Sequence, residues 1–337
     1  MTPPVLAARV LAPPVLALPV LAMTGVNMDF TFGCSFLNRS VLRAVSDVSL
    51  ALHAGRALAL VGESGSGKST IARLLARLYK PSAGAITKSG SDITQLAPAE
   101  IAAYRRDVQM IFQDPFSSLN PTHTVGYHLE RAIRLHRPAL TKPEVRDHID
   151  ALLAQVGPLP ARSFAERRPH QISGGHRQRV SIARALSVEP SVILADEPTS
   201  MQDVSVRLGI LNLLADEKQQ RKLAALYITH DIATARYFAE ETAVLYAGCL
   251  VEQVPSTAIT GAPQHPYTRL LIASVPNPAH KITGNAPRRA ADVPLRGPAS
   301  TGCPFVSRCP RATAICRAEM PGPTWISASH FVRCHNL

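Results

Sequence analysis

Apolar and polar residues roughly alternate over 20–32, the period of a strand with one buried face, and this predicts an edge strand or hairpin. A second strand is expected over about 45–52. Ala54-Gly55-Arg56 reads as a turn, and the wholly apolar run Ala-Leu-Ala-Leu-Val at 57–61 has the character of a strand buried on both faces. An amphipathic helix is expected from 68 to about 79, stopped before Pro81. Residues 100–165 change character: helical periodicity is broken at Asn120-Pro121, Arg137-Pro138 and Gly157-Pro158, which predicts a mainly helical insertion. Strand and helix then alternate again. A helix opens near Ser173, a strand covers 192–195, a helix about 204–221 and a strand 225–229. Tyr246-Ala-Gly-Cys249, flanked by β-formers, predicts a hairpin. After Pro255 the prolines and glycines become frequent and a separate tail is expected. The order predicts an α/β fold with an antiparallel β edge and a helical subdomain at about 100–190.

Bulk properties narrow this picture only a little. A chain of 337 residues has room for one large α/β domain plus something smaller. Residues 1–19 repeat Val-Leu-Ala between prolines; the prolines forbid the unbroken helix of a secretory signal, and a disordered extension is expected. No stretch approaches the roughly 20 uninterrupted apolar residues that cross a bilayer, so work at a membrane is expected to pass through partners. The net charge of +12 is spread along the chain with no basic run of five, and no nucleic-acid partner is expected from it. Four of the six cysteines fall within 303–334. Cys34 and Cys249 stand alone and read as small buried hydrophobes.

The chemistry lies in three strings. The segment 62–69 reads Gly-Glu-Ser-Gly-Ser-Gly-Lys-Ser. Glycines at 62, 65 and 67, spaced by Glu63, Ser64 and Ser66, let backbone N–H groups converge on phosphate oxygens, and the helix behind them adds its positive end. Lys68 then reaches the β- and γ-phosphates, and Ser69 ligates Mg²⁺. Val-Ile-Leu-Ala-Asp-Glu at 192–197 supplies two acids at the end of an apolar strand. Asp196 is placed to hold Mg²⁺ through water, and Glu197 to polarise an attacking water. Ser173-Gly174-Gly175 opens a basic helix, a second anion site. One nucleotide on one subunit does not need two such termini, so this face is expected to complete the site of another subunit.

Over about 20–255 these strings resemble the nucleotide-binding subunit of an ABC transporter. The resemblance implies a P-loop ATPase that uses ATP and Mg²⁺. Lys68, Ser69 and Thr70 match the Walker A loop, Asp196 and Glu197 match Walker B, and Ser173, Gly174, Gly175 and His176 match the signature. Gln113 in Ile-Phe-Gln-Asp-Pro matches the Q-loop, which senses Mg²⁺ and the membrane domain. His230 in Tyr-Ile-Thr-His-Asp matches the switch histidine at the γ-phosphate, and Asp203 matches the D-loop. Phe30 is the match to the aromatic that stacks on adenine, with Phe32 and Phe36 as alternatives. The implied catalytic set is thus Lys68, Gln113, Glu197 and His230, and the implied Mg²⁺ set is Ser69, Gln113 and Asp196. Two positions depart from the family pattern: His176 replaces a glutamine, and Ser-Met-Gln-Asp at 200–203 replaces Ser-Ala-Leu-Asp. An imidazole at 176 is expected either to alter the contact with the partner's nucleotide or to make it pH-sensitive near neutrality.

The strings His-Pro-Tyr-Thr-Arg-Leu-Leu at 265–271, Gly-Cys-Pro-Phe-Val-Ser-Arg-Cys-Pro at 302–310 and Ser-Ser-Leu-Asn-Pro at 117–121 resemble the oligopeptide/dipeptide importer branch, with 256–337 as its C-terminal region. That branch implies membrane permease subunits and a second ATPase subunit, identical or sister. It also implies an extracytoplasmic solute-binding protein acting indirectly, and a peripheral place on the cytoplasmic face of the inner membrane. Relatives carry dipeptides, oligopeptides, nickel, glutathione or sugars. A soluble ABC ATPase of DNA repair or translation is the competing reading, but this chain has neither the coiled-coil insertion nor the tandem duplication of those classes. Cys303, Cys309, Cys316 and Cys334 are spaced Cys-x5-Cys-x6-Cys-x17-Cys, unlike a zinc ribbon. A 4Fe–4S cluster, carried by some members of the branch, a zinc site and plain reduced thiols all stay open. With the motor residues ending near 255, nucleotide binding is expected to be independent of the tail.

Overall fold

The computed structural model describes residues 18–32, 40–157, 160–274 and 296–337. Cys34, Phe36 and all but the last two residues of the 1–19 extension lie outside them. The chain opens with β1 (Leu21–Phe32) and β2 (Ser40–Leu52), an antiparallel pair, then β3 (Ala57–Val61) and α1 (Lys68–Leu75). β4 (Ala83–Lys88) and β5 (Ser91–Asp92) complete a four-stranded antiparallel sheet in the order β2-β1-β4-β5. Next come α2 (Pro98–Asp107) and β6 (Val108–Ile111). The helical stretch follows: α3 (Pro115–Ser118), α4 (Val125–His136), α5 (Lys142–Val156), α6 (Ala161–Ala165) and α7 (Gly174–Leu186). Alternation resumes with β7 (Val192–Asp196), α8 (Val204–Gln220), β8 (Ala224–Thr229), α9 (Ile232–Phe238), β9 (Glu241–Tyr246) and β10 (Cys249–Pro255). α10 (Pro266–Ala273), α11 (Ala314–Ala318), β11 (Thr324–Ser327) and β12 (His330–Val332) close the chain.

The main sheet has eight strands in the order β11-β12-β10-β9-β3-β8-β7-β6. β6, β7, β8, β3 and β9 run parallel. All five residues of β3 are buried, and the strand's period of two sends them into different cores. Ala57, Ala59 and Val61 face a cluster built with α4 to α9, whereas Leu58 and Leu60 face one built with α1 and the antiparallel sheet. Each buried leucine contributes about 2 kcal/mol. The strand is therefore clamped from both sides, and the loop that leaves it at Gly62 starts from a fixed point.

Three expectations are adjusted. The helix expected over 68–79 ends at Leu75, because Arg77 turns left-handed (φ 54°) and gives its guanidinium to the Thr94 carbonyl (2.8 Å). The stretch expected to be helical from 100 contains β6, whose four residues pair with β7 in parallel at the end of the main sheet. The tail is not separate. β12 pairs antiparallel with β10 at Glu252 and Gln253, and the buried His330 Nε2 meets the fully buried Glu252 carboxylate at 2.9 Å.

Candidate nucleotide-binding site

The loop between β3 and α1 bends where no side chain fits. Gly67 has φ 104°, and a Cβ there would lie 2.5 Å from the Ala44 carbonyl oxygen. Lys68 is buried, and its ammonium donates to the carbonyls of Gly62 and Glu63, both at 2.8 Å. Burial lowers its pKa, while Glu197, Asp196 and Glu63 act the other way. The Ser69 hydroxyl donates to Asp196 Oδ1 at 3.0 Å. Asp196 ends β7 almost wholly buried, and this burial raises its pKa, with the Ser69 hydrogen bond opposing.

One residue on, the backbone turns left-handed at Glu197 (φ 46°), and its N–H donates to the Ile228 carbonyl of β8 (3.0 Å). Its carboxylate is then met from two sides: Gln113 Nε2 donates at 3.2 Å, and His230 Nδ1 lies at 3.4 Å. Lys68, Ser69, Thr70, Gln113, Glu197 and His230 line one cleft of about 490 Å³, together with Phe30, Ser64, Gly65 and Gly67. Phe30 packs edge-on against Tyr79 at 5.5 Å between ring centres; Phe32 is exposed. Ser69, Gln113 and Asp196 also line an adjoining pocket of about 470 Å³. These three bring a hydroxyl, an amide carbonyl and a carboxylate, the hard oxygen donors that suit Mg²⁺.

The signature residues stand elsewhere. Ser173, Gly174, Gly175 and His176 are absent from the lining of that cleft. Ser173 caps α7, its hydroxyl accepting from the His176 N–H (3.4 Å) and meeting His176 Nδ1 at 2.9 Å. Burial, then Arg179 and Arg167, push the His176 pKa below the ordinary imidazole value. That shift carries its titration toward the acid side of the expected range. Gly175 admits α8 closely: a Cβ there would lie 2.7 Å from Val206 Cγ1. Asp203 caps α8 without a side-chain hydrogen bond.

Sequence reasoning missed several residues at the cleft. Arg43, Ala44, Ala247, Gly248 and Arg296 also line it. Arg43 is fixed by a fork to Asp29 (2.8 and 2.9 Å), and the buried Arg296 donates to Cys249 Sγ at 2.8 Å. No local pattern singles out either arginine. The Gly248 N–H donates to the Ser66 carbonyl (2.9 Å), so the β9–β10 turn supports the phosphate loop as well as lining the cleft.

Among the described residues no three cysteines form a metal-ligating group. The four tail thiols nevertheless lie in one another's field: burial raises the Cys303 pKa to about 11, and Cys316, Cys334 and Cys309 add to the rise. The Cys334 sulfur accepts from the Asn336 N–H at 3.4 Å.

Residues 45–200 match the family model described as ABC transporter, and 251–316 match the oligopeptide/dipeptide transporter C-terminal region. The chain is 43% identical over 304 residues to a probable peptide ABC transporter ATP-binding protein of Sinorhizobium fredii, covering 88% of this chain and 84% of that one. It is 40% identical to an oligopeptide transport ATP-binding protein of Bacillus subtilis, covering 87% and 89%. It is 38% identical to a di/tripeptide transport ATP-binding protein of Pseudomonas aeruginosa, covering 89% and 92%. Among solved structures, an ATP-binding cassette in a dimeric post-hydrolysis state with ADP and Pi superposes with a TM-score of 0.62. It is 31% identical, with 70% of this chain and 98% of that one covered.

Proposed function

The chain belongs to the ABC transporter ATP-binding family, and from that premise we propose that it is the ATP-hydrolysing motor of a peptide importer. The observation that carries this reading is the convergence of Lys68, Ser69, Gln113, Glu197 and His230 on one cleft in a chain whose relatives are peptide-transport subunits. Lys68 supplies the fixed positive charge for the β- and γ-phosphates, exchanging its two loop carbonyls for phosphate oxygens. Ser69, Gln113 and Asp196 would hold Mg²⁺, which would neutralise charge on the phosphates when bound. Glu197 takes the proton of the attacking water, oriented by Gln113 on one side and His230 on the other. Phe30 offers its ring to adenine.

The signature residues serve the nucleotide of a second ATPase subunit, since Ser173 lies outside the chain's own cleft. Met201, Val204 and Leu208, all exposed, give the start of α8 an apolar face for that subunit. Phe112, beside Gln113 and also exposed, suits contact with permease subunits. Among the described residues no helix is long and apolar enough to cross a membrane, in keeping with a peripheral place on the cytoplasmic face. The test is transport: cells carrying Lys68→Ala as the sole copy lose uptake of a labelled tripeptide that the parental gene restores. Intact tripeptide uptake with loss of nickel uptake would contradict the peptide reading.

We further propose that Cys303, Cys309, Cys316 and Cys334 take a 4Fe–4S cluster as a structural staple. The gathering of four cysteines within 303–334 and the backbone amide bond to the Cys334 sulfur support it, since such bonds stabilise thiolate ligands. Protein purified without oxygen is then brown, with broad absorbance near about 400 nm that Cys303→Ser removes. Colourless protein, with stoichiometric zinc or with no metal, contradicts the cluster.

A further inference from the structure

The phosphate loop is gripped by residues more than 200 positions further along the chain. Glu63, its second residue, is forked by Arg308: Nη1 to Oε2 is 2.9 Å and Nη2 to Oε1 is 3.1 Å. The Glu63 N–H donates to the hydroxyl of Tyr267 at 2.9 Å, and the Glu63 carbonyl accepts from Lys68 Nζ at 2.8 Å. An unbroken polar path therefore runs from Arg308 through Glu63 to the lysine proposed to meet the phosphates. Both outer partners belong to the C-terminal region.

This grip is built rigidly. Tyr267 is fully buried and Phe305 nearly so. Phe305 packs edge-on to Tyr246 at 5.3 Å and against Tyr267 at 5.5 Å. The Arg308 guanidinium lies 5.7 Å from the rings of both Tyr246 and Phe305 and reaches the Tyr246 hydroxyl at 3.3 Å. Arg308 and Glu63 side chains keep 15% and 24% of their exposure, so water screens the pair only in part. A planar fork held between aromatic faces fixes a carboxylate in direction as well as distance.

The loop has an electrostatic problem that this fork resolves. A glutamate within the phosphate loop puts a negative charge where a polyanionic ligand must arrive. Unpaired, it would repel the phosphates and compete for Lys68. We propose that Arg308 is a positioning residue for nucleotide binding: it neutralises Glu63 and, with Tyr267, holds the loop so that Lys68 stays available to phosphate. The inference rests on the reading of the cleft as an ATP site. It replaces the expectation that nucleotide binding is independent of the tail, since Arg308 sits directly before Cys309 and docks only when that region is folded.

The test is a binding cycle on the full chain, using a fluorescent ATP analogue with Mg²⁺ and four proteins: parental, Arg308→Ala, Glu63→Gln and the double variant. Arg308→Ala is expected to weaken binding about tenfold, the scale of a lost hydrogen-bonded charge pair. On the Glu63→Gln background, where no charge needs neutralising, the same change costs less than about threefold. A tenfold cost on both backgrounds would mean that Arg308 serves only the tail's fold, and the proposal falls. So does an Arg308→Ala affinity within twofold of parental. Should Arg308→Ala fail to fold, Arg308→Gln carries the same cycle with the same expected outcomes. Absence of nucleotide binding by the parental chain would instead sink the ATP-site reading itself.

Discussion

Gly67 and Lys68 illustrate how single residues set the site. A left-handed backbone at Gly67 lets the loop pass so near the Ala44 carbonyl that an added Cβ would lie 2.5 Å from its oxygen, and the next residue enters α1 with its ammonium turned back onto the loop. Gly67→Ala forces both a disfavoured φ and a clash with backbone, at a cost of about 2 kcal/mol. Nucleotide titration of that variant is expected to show affinity reduced at least about tenfold; parental affinity would show the loop to be pliable. Lys68, Ser69, Asp196 and Glu197 were legible in the sequence because each sits in a short string whose spacing is itself the chemistry. Arg43, Tyr267, Arg296 and Arg308 were not. Their roles depend on contacts between distant parts of the chain: the strings that hold Tyr267 and Arg308 mark the importer branch but carry no sign of a contact with the phosphate loop, and Arg43 and Arg296 sit in no such string.

At the scale of elements, α7 is the informative case. Its start was legible from Ser173 and the two glycines, and the structure gives Ser173 the cap and Gly175 the close approach to Val206. β6 and β12 were not legible, being only four and three residues long; strands so short are defined by their neighbours rather than by their own period. Ser173→Arg separates the two faces of the subunit. It removes the cap, costing about 1 kcal/mol of helix stability, and fills the proposed anion site with a large side chain. Hydrolysis is expected to be abolished while the isolated chain still binds one nucleotide in its own cleft. Equal loss of binding by the monomer would place α7 in that cleft instead.

In the whole molecule, the main sheet joins the motor to the tail through a buried polar seam. The Glu252 carboxylate accepts from the N–H groups of Gln264 and His265 (2.8 and 3.0 Å) and meets His330. Burial alone would raise its pKa, but the bonds from His330 and the two N–H groups outweigh that and hold it low. His265 caps α10 through Nδ1, accepting from the Tyr267 N–H (3.1 Å), and burial pushes its pKa from 6.5 to about 4 despite Glu252. The unfolded chain takes up this proton as pH falls below 6.5, whereas the folded chain does so only near about 4. The stability due to His265 is therefore complete above that window and lost through it, by on the order of 3 kcal/mol. Glu252 adds a loss of the same sign at lower pH. Denaturant unfolding at about pH 7 and pH 5 is expected to show the fall, and His265→Asn, which keeps a capping acceptor without titrating there, is expected to flatten it. An undiminished fall in that variant would move the effect to another group.

On the proposed reading, Glu197 is the base of a composite ATPase site shared by two subunits. Glu197→Gln keeps the hydrogen-bonding shape and removes the proton acceptor. The deciding measurement is phosphate release from Mg·ATP by this variant, paired with its size in solution. Turnover reduced at least about a hundredfold, with undiminished ATP binding and an ATP-dependent dimer that the parental chain does not accumulate, is the result predicted. Hydrolysis at the parental rate, with no ATP-dependent dimer, would contradict it.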